Sequence, residues 1–233
     1  MRLLVLLFGA LSLAACASPY VATPYEADLY PVRTIGLVED VGDSQVIAYE
    51  VASMGSNFGI VGALVDAGVQ SSRRARVEEI LEGEGFDAQA YFRERIIMEL
   101  EALGYNVETV SVGERDGVAL FDSYEGFDHD VDAHLDVVLQ QYGLLSSGTG
   151  KPFRPHAAVE GRMVNRADQA VIMENSIIYA PLGSPEGRIL LSPPPDASFR
   201  NREEILEDPV SLVESIQMAL DETAATFARL LAQ

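Results

Sequence analysis

Cysteine is nearly absent: Cys16 is the only one, which excludes an intramolecular disulfide. Basic residues are scarce too. Sixteen Lys and Arg stand against 36 Asp and Glu, a formal net charge of -20. Binding phosphates needs a concentrated cationic face, so the charge argues against nucleic acid as a partner. No apolar run reaches the ~20 residues that a helix needs to cross a hydrocarbon core. Signatures of chemistry are missing as well: no G-x-S-x-G, H-E-x-x-H, P-loop or G-x-G-x-x-G occurs. What remains is ordinary for a folded domain, with 48% hydrophobic and 22% charged residues over 233 positions. That composition excludes general disorder, and the length favours one domain with an arm.

The amino terminus is the most informative stretch. Met1 and Arg2 make a short positive start, and residues 3–13, LLVLLFGALSL, carry no charge. Such a run reads as an export signal. It ends in Leu13-Ala14-Ala15-Cys16, which resembles the lipobox of bacterial lipoproteins. The resemblance implies that residues 1–15 are a signal peptide and that Cys16 receives a diacylglycerol. It also implies acylation of the new amine, a membrane anchor stronger than a single acyl chain gives. A lone cysteine has no partner competing for its thiol in an oxidising compartment. The mature chain would hold 233 - 15 = 218 residues and, losing Arg2, a charge of -21. Ala17 after the cysteine implies sorting to the outer membrane, with the body facing the periplasm.

Residues 16–31 read as the lipidated cysteine and a tether, because 17–31 hold three prolines and little periodicity. Fifteen such residues span about 50 Å when extended. Residues 32–233 form the domain. The sequence predicts strands over 32–38, 46–51, 105–112, 131–141, 157–164 and 171–179. The last two face each other across 165–169 as an antiparallel hairpin. Asp87 caps a helix over 87–103 whose stripe is Phe92, Ile96, Leu100 and Leu103, and Gly104 ends it. Residues 71–85 read as a solvated helix in which Arg74–Glu78 and Arg76–Glu79 are neighbours. Residues 142–155 read as a Gly/Ser-rich loop. Residues 181–207, with Pro193-Pro194-Pro195, read as irregular. Asp208-Pro209 opens a final amphipathic helix that must lie on the sheet. The expected fold is α/β: a single mixed sheet of about five strands with helices packed on it.

TIGLV, ELEALGYNV, VDAHLDVVLQQYG and AVEGRMVNRADQAVIMENSIIY occur in this order. The pattern resembles a lipoprotein superfamily. It includes the curli-secretion channel protein, the activators of penicillin-binding proteins and the amino-terminal domain of the TolB translocation protein. The resemblance covers residues 32–232 and implies fold more than function. It implies no catalytic residue and no cofactor. The function it implies is that of a non-catalytic accessory or scaffold in envelope biogenesis or secretion. The alternatives are a ring-forming secretion subunit and a metal- or ligand-binding module.

Two constellations are candidate sites. Asp130, Asp132, His134 and Asp136 share one side of a strand, opposite Val131, Ala133, Leu135 and Val137. Carboxylates with one imidazole suit Ca²⁺, Mn²⁺ or Zn²⁺, while the plain alternative is a polar strand side facing solvent. The second is an interface. Gly55, Gly59, Ala63 and Ala67 recur every four residues and leave one helical stripe free of bulk, open to self-association, to the membrane surface or to intramolecular packing. Lys151, the only lysine, lies with Arg154 and His156 on or beside the long loop, where they would meet an acidic face of a neighbouring copy or stay solvated.

Overall fold

The computed structural model describes residues 20–51, 67–127, 129–148, 150–183 and 186–232. Seven strands make one mixed sheet. They are β1 (Thr34–Val38), β2 (Gln45–Glu50), β3 (Asn106–Val110), β4 (Ala133–Ser146), β5 (Phe153–Asn165), β6 (Val171–Tyr179) and β7 (Ile189–Leu191). The order is β3-β1-β4-β5-β6-β7, and β2 also pairs with β4. The helices are α1 (Ala67–Gly83), α2 (Ala88–Ala102), α3 (Arg202–Glu207) and α4 (Pro209–Arg229). The α/β class, the antiparallel hairpin and the C-terminal helix on the sheet are as the sequence predicts.

β4 organises the sheet. Its first stretch pairs in parallel with β1, Ile35 opposite Ala133. Its second pairs in parallel with β2, Gln45 opposite Gln141. β1 and β2 are therefore two halves of one interrupted strand along a single edge of β4. Between them the Leu139 amide donates to the Val41 carbonyl at 2.9 Å. β5 runs antiparallel to β4 over its full length, and β6 antiparallel to β5.

Alternation divides the sheet into two faces. Ile35, Leu37, Leu135, Val137, Leu139, Val159 and Met163 face the helices and are fully buried. Phe92, Ile96 and Leu100 of α2 pack into the same core, as do Leu212, Ile216, Leu220 and Phe227 of α4. Burying one such side chain contributes about 1.5–3 kcal/mol. Gly161 is required where α4 crosses β5, because a Cβ there would collide with the Phe227 ring. Asp87 accepts from the Gln89 and Ala90 amides and starts α2. Gly104, at φ +93°, ends its C-terminal turn.

Three expectations change. The loop expected over 142–155 shrinks to a turn, because β4 continues to Ser146 and β5 begins at Phe153. Leu144, Leu145 and Phe153 are buried there, and β2 supplies hydrogen bonds to that part of β4. Residues 181–207 are less irregular than expected and contain β7 and α3. The tether is shorter than 17–31. Thr23 exchanges two backbone hydrogen bonds with Glu174 of β6, at 2.8 and 2.9 Å. The Tyr25 hydroxyl donates to the Tyr30 carbonyl at 2.7 Å. The arm is thus held on the sheet from Tyr20 onward.

Candidate functional site

The break between β1 and β2 opens a polar crevice at the carboxyl end of β1. The chain leaves the β4 edge because the Asp40 carboxylate turns it, accepting from the Gly42 amide at 2.8 Å. Gly42 sits at φ +92°, with Val138 and Gly117 close to where a Cβ would project. The Gln89 side-chain amide donates to the Gly42 carbonyl at 2.9 Å, and Arg93 donates to the Glu39 carbonyl at 3.1 Å. The crevice has a volume of about 360 Å³. Glu39, Asp40, Asp43 and Asp87 line it, with Arg93 and Arg115. Four carboxylates against two guanidiniums favour a cationic group in it.

Behind the crevice lies a buried ion pair. Arg115 is 1% exposed and Asp136 is 0% exposed. Arg115 Nη2 meets Asp136 Oδ1 at 2.6 Å. The guanidinium also donates to the Asp40 carbonyl at 2.7 and 3.1 Å and to the Ala119 carbonyl at 2.7 Å. It stacks over the Phe121 ring, 4.5 Å from the centroid. Asp136 Oδ2 accepts from the Phe121 amide and the Tyr124 hydroxyl, both at 2.9 Å. Burial, and then the Asp136 charge, hold the Tyr124 phenol well above its ordinary value. A buried pair is stable only when its remaining hydrogen-bonding capacity is met, and here it is. The pair ties residues 115–124 to the helix-free side of β4.

This explains the fate of the carboxylate row. The expectation of a polar ridge facing solvent holds for Asp130 and Asp132, which are exposed, and fails for His134 and Asp136, because the segment leading from β3 to β4 folds over that part of the strand. Asp136 pairs with Arg115. His134 is buried, edge-on to Phe127 with ring centroids 5.4 Å apart and beside His129 at 6.0 Å. Neither of its ring nitrogens has a hydrogen-bond partner. Burial first, then His129 and Arg166, lower its pKa to about 4. Asp132 Oδ2 accepts from the Arg33 and Thr34 amides, both at 2.8 Å, and so fixes the start of β1. Asp130 is exposed and lies 3.6 Å from Arg166. The four do not converge. Among the described residues no three His, Cys, Asp or Glu side chains are grouped so as to hold a metal ion.

Cys16, Gly55, Gly59 and Ala63 lie outside the described residues, and Ala67 is the first residue of α1. Lys151 is exposed in the β4–β5 turn. Arg154 is half-buried on β5, opposite Leu145. His156 is buried below them, and burial lowers its pKa to about 4, partly offset by the Tyr179 backbone. Lys151 and Arg154 are therefore near one another at one end of the sheet, while His156 is not a surface group.

The Arg115–Asp136 pair had a signal in the sequence. Asp136 interrupts the apolar run of β4, and a buried carboxylate needs a cation. Arg115 is the only Lys or Arg between Arg95 and Lys151.

The chain matches no family model and no curated protein. Among solved structures it is similar to a Xanthomonas campestris protein of the DUF330 family. That alignment has 11% identity, covers 92% of each chain and has a TM-score of 0.41. Among the described residues no helix is long and apolar enough to cross a membrane.

Proposed function

We propose that the chain is a lipoprotein of the outer membrane, anchored through Cys16 and facing the periplasm. Its body is a non-catalytic accessory or scaffold in envelope biogenesis or secretion. The observation that carries this reading is Leu13-Ala14-Ala15-Cys16 closing an uncharged run of eleven residues, with Cys16 the sole cysteine. Two further features support it. The arm is bonded to β6 at Thr23, so the domain is held within 23 - 16 = 7 residues of the anchor point. The carboxylates of the best candidate ligand row are engaged in structural bonds: Asp132 caps β1 and Asp136 pairs with Arg115. The acidic crevice beside β1 and α2 offers a contact for a cationic side chain of a protein partner.

The test is Cys16→Ser in cells given labelled palmitate. The expected outcome is loss of label and accumulation of the unprocessed precursor. Unchanged labelling and unchanged membrane fractionation would refute the anchor. Lys151 and Arg154, together at one end of an acidic chain, keep self-association as a second reading. The molar mass of the soluble body by light scattering decides it: a closed ring supports a secretion subunit, and a monomer removes that reading.

A further inference from the structure

Resting on the lipoprotein reading, we infer that the helix-free face of the sheet beside β6 and β7 is the surface by which the domain lies on the lipid bilayer.

Three observations converge on this face. First, the anchored end of the chain arrives there. Thr23 is bonded to the edge of β6, and the Tyr20 carbonyl lies against Gly187, in the connection between β6 and β7. The Tyr20 ring lies beneath Arg188, 5.6 Å from its guanidinium. Burial, and then the charges of Glu174 and Glu160, raise the Tyr20 phenol; both carboxylates are on the helix-free face. Only 20 - 16 = 4 residues separate Tyr20 from Cys16. Four residues reach at most about 14 Å. A lipid on Cys16 therefore places the bilayer within about 14 Å of the point where the arm meets this face.

Second, apolar side chains stand beside the charged group at which the arm arrives. Leu190 stands opposite Ile178 and is 38% exposed. Val21, two residues from the Thr23 bridge, is 73% exposed. Tyr49 and Leu182 are half-buried against Ile178 and Leu145 on the same side. Contiguous apolar surface on a soluble domain marks a contact site, and beside an acyl anchor the apolar medium is the bilayer interface.

Third, the face carries guanidiniums beside its carboxylates Glu160 and Glu174. Arg154 shares this face, because it pairs with Leu145 across β4 and β5. Arg188 lies beside the exit of the arm. On a chain of net charge -20, the half-buried Arg154 guanidinium on this face offers a contact to lipid phosphates. Val21, Leu182 and Leu190 enter the interface, and the helices and the acidic crevice face the periplasm.

The experiment exploits two absences. Cys16 is the only cysteine, and the chain has no tryptophan. The exported form, Cys16 to Gln233, keeps every described residue. Its thiol is coupled to a maleimide lipid in vesicles of phosphatidylethanolamine and phosphatidylglycerol, some carrying brominated acyl chains. Leu190→Trp and Val21→Trp report on the proposed face, and Met98→Trp, at an exposed position of α2, reports on the helix side. The expected result is a blue shift and bromine-dependent loss of emission for Leu190→Trp and Val21→Trp, with neither for Met98→Trp. Equal quenching at all three positions, or none at Leu190→Trp, overturns the inference. So does a blue shift of Leu190→Trp without vesicles that grows with protein concentration, since a second copy would then cover the face. The coupling forces the tether chemically. A negative result therefore rejects the face assignment alone, while palmitate labelling decides the anchor.

Discussion

Replacing Arg115 by Met strands the Asp136 carboxylate. In the native chain that carboxylate is 0% exposed and accepts from a guanidinium, the Phe121 amide and the Tyr124 hydroxyl. Methionine fills much of the same volume, so packing over the Phe121 ring largely survives. The charge has no replacement. Removing one partner of a buried pair costs about 3–5 kcal/mol, because an uncompensated ion stays in a poorly solvated site. With a urea slope of about 2–3 kcal/mol/M, the unfolding midpoint falls by about 1–2 M. The loss is conditional on charge. Arg115→Met with Asp136→Asn keeps an acceptor for Phe121 and Tyr124 but removes the ion, and recovers most of the stability. Urea titrations followed by far-UV circular dichroism measure all three. A cost below about 1 kcal/mol for Arg115→Met would refute the reasoning, since exposed pairs contribute that little.

Two other sites give separate predictions. Gly161→Ala forces the Phe227 ring off β5 and should cost about 1–3 kcal/mol, read as a lower thermal midpoint. His156 stays neutral in the fold, with its pKa lowered from 6.5 to about 4. The unfolded chain therefore binds a proton that the fold refuses between those values, and stability falls as the pH drops from about 6.5 to about 4. His156→Leu should flatten that part of the pH profile, and a profile parallel to the native one would refute the assignment.

Strong periodicity was legible. The α2 stripe as far as Leu100, the α4 face and the β5–β6 hairpin follow from spacing and caps, because each buries one face against one core, whereas Leu103, expected in the stripe, lies past the end of α2 and is 43% exposed. The second face of the sheet was not legible from spacing. Alternation in β4 says that His134 and Asp136 oppose Leu135 and Val137, but not what covers them. The cover comes from residues 115–127, which lack periodicity and are held by the bonds of Arg115, Phe121 and Tyr124 to Asp136 and of Arg162 to Phe121. Composition misled at 142–155. Ser and Gly suggest a loop, yet β2, a hundred residues away from β5 in sequence, bonds to that part of β4 and makes it strand. Gly143 is accepted there at φ +130°, where the Ile47 backbone leaves no room for a Cβ. The crevice was invisible for the same reason, since it exists only because β1 and β2 share one edge of β4 and part between Val38 and Gln45.

The Thr23–Glu174 bridge has a mechanical consequence. If Cys16 carries the proposed lipid, a load pulling the domain from that anchor would pass through two backbone hydrogen bonds before it reached any core strand. Those bonds are a fuse. When they part, and the Tyr25 hydroxyl lets go of Tyr30 and Val32, the arm peels from β6 and the slack between Cys16 and Val32 is released. Seven residues span about 25 Å, and 32 - 16 = 16 residues span about 55 Å. With that anchor the leash would double under tension with the sheet intact, and shorten again when these bonds re-form.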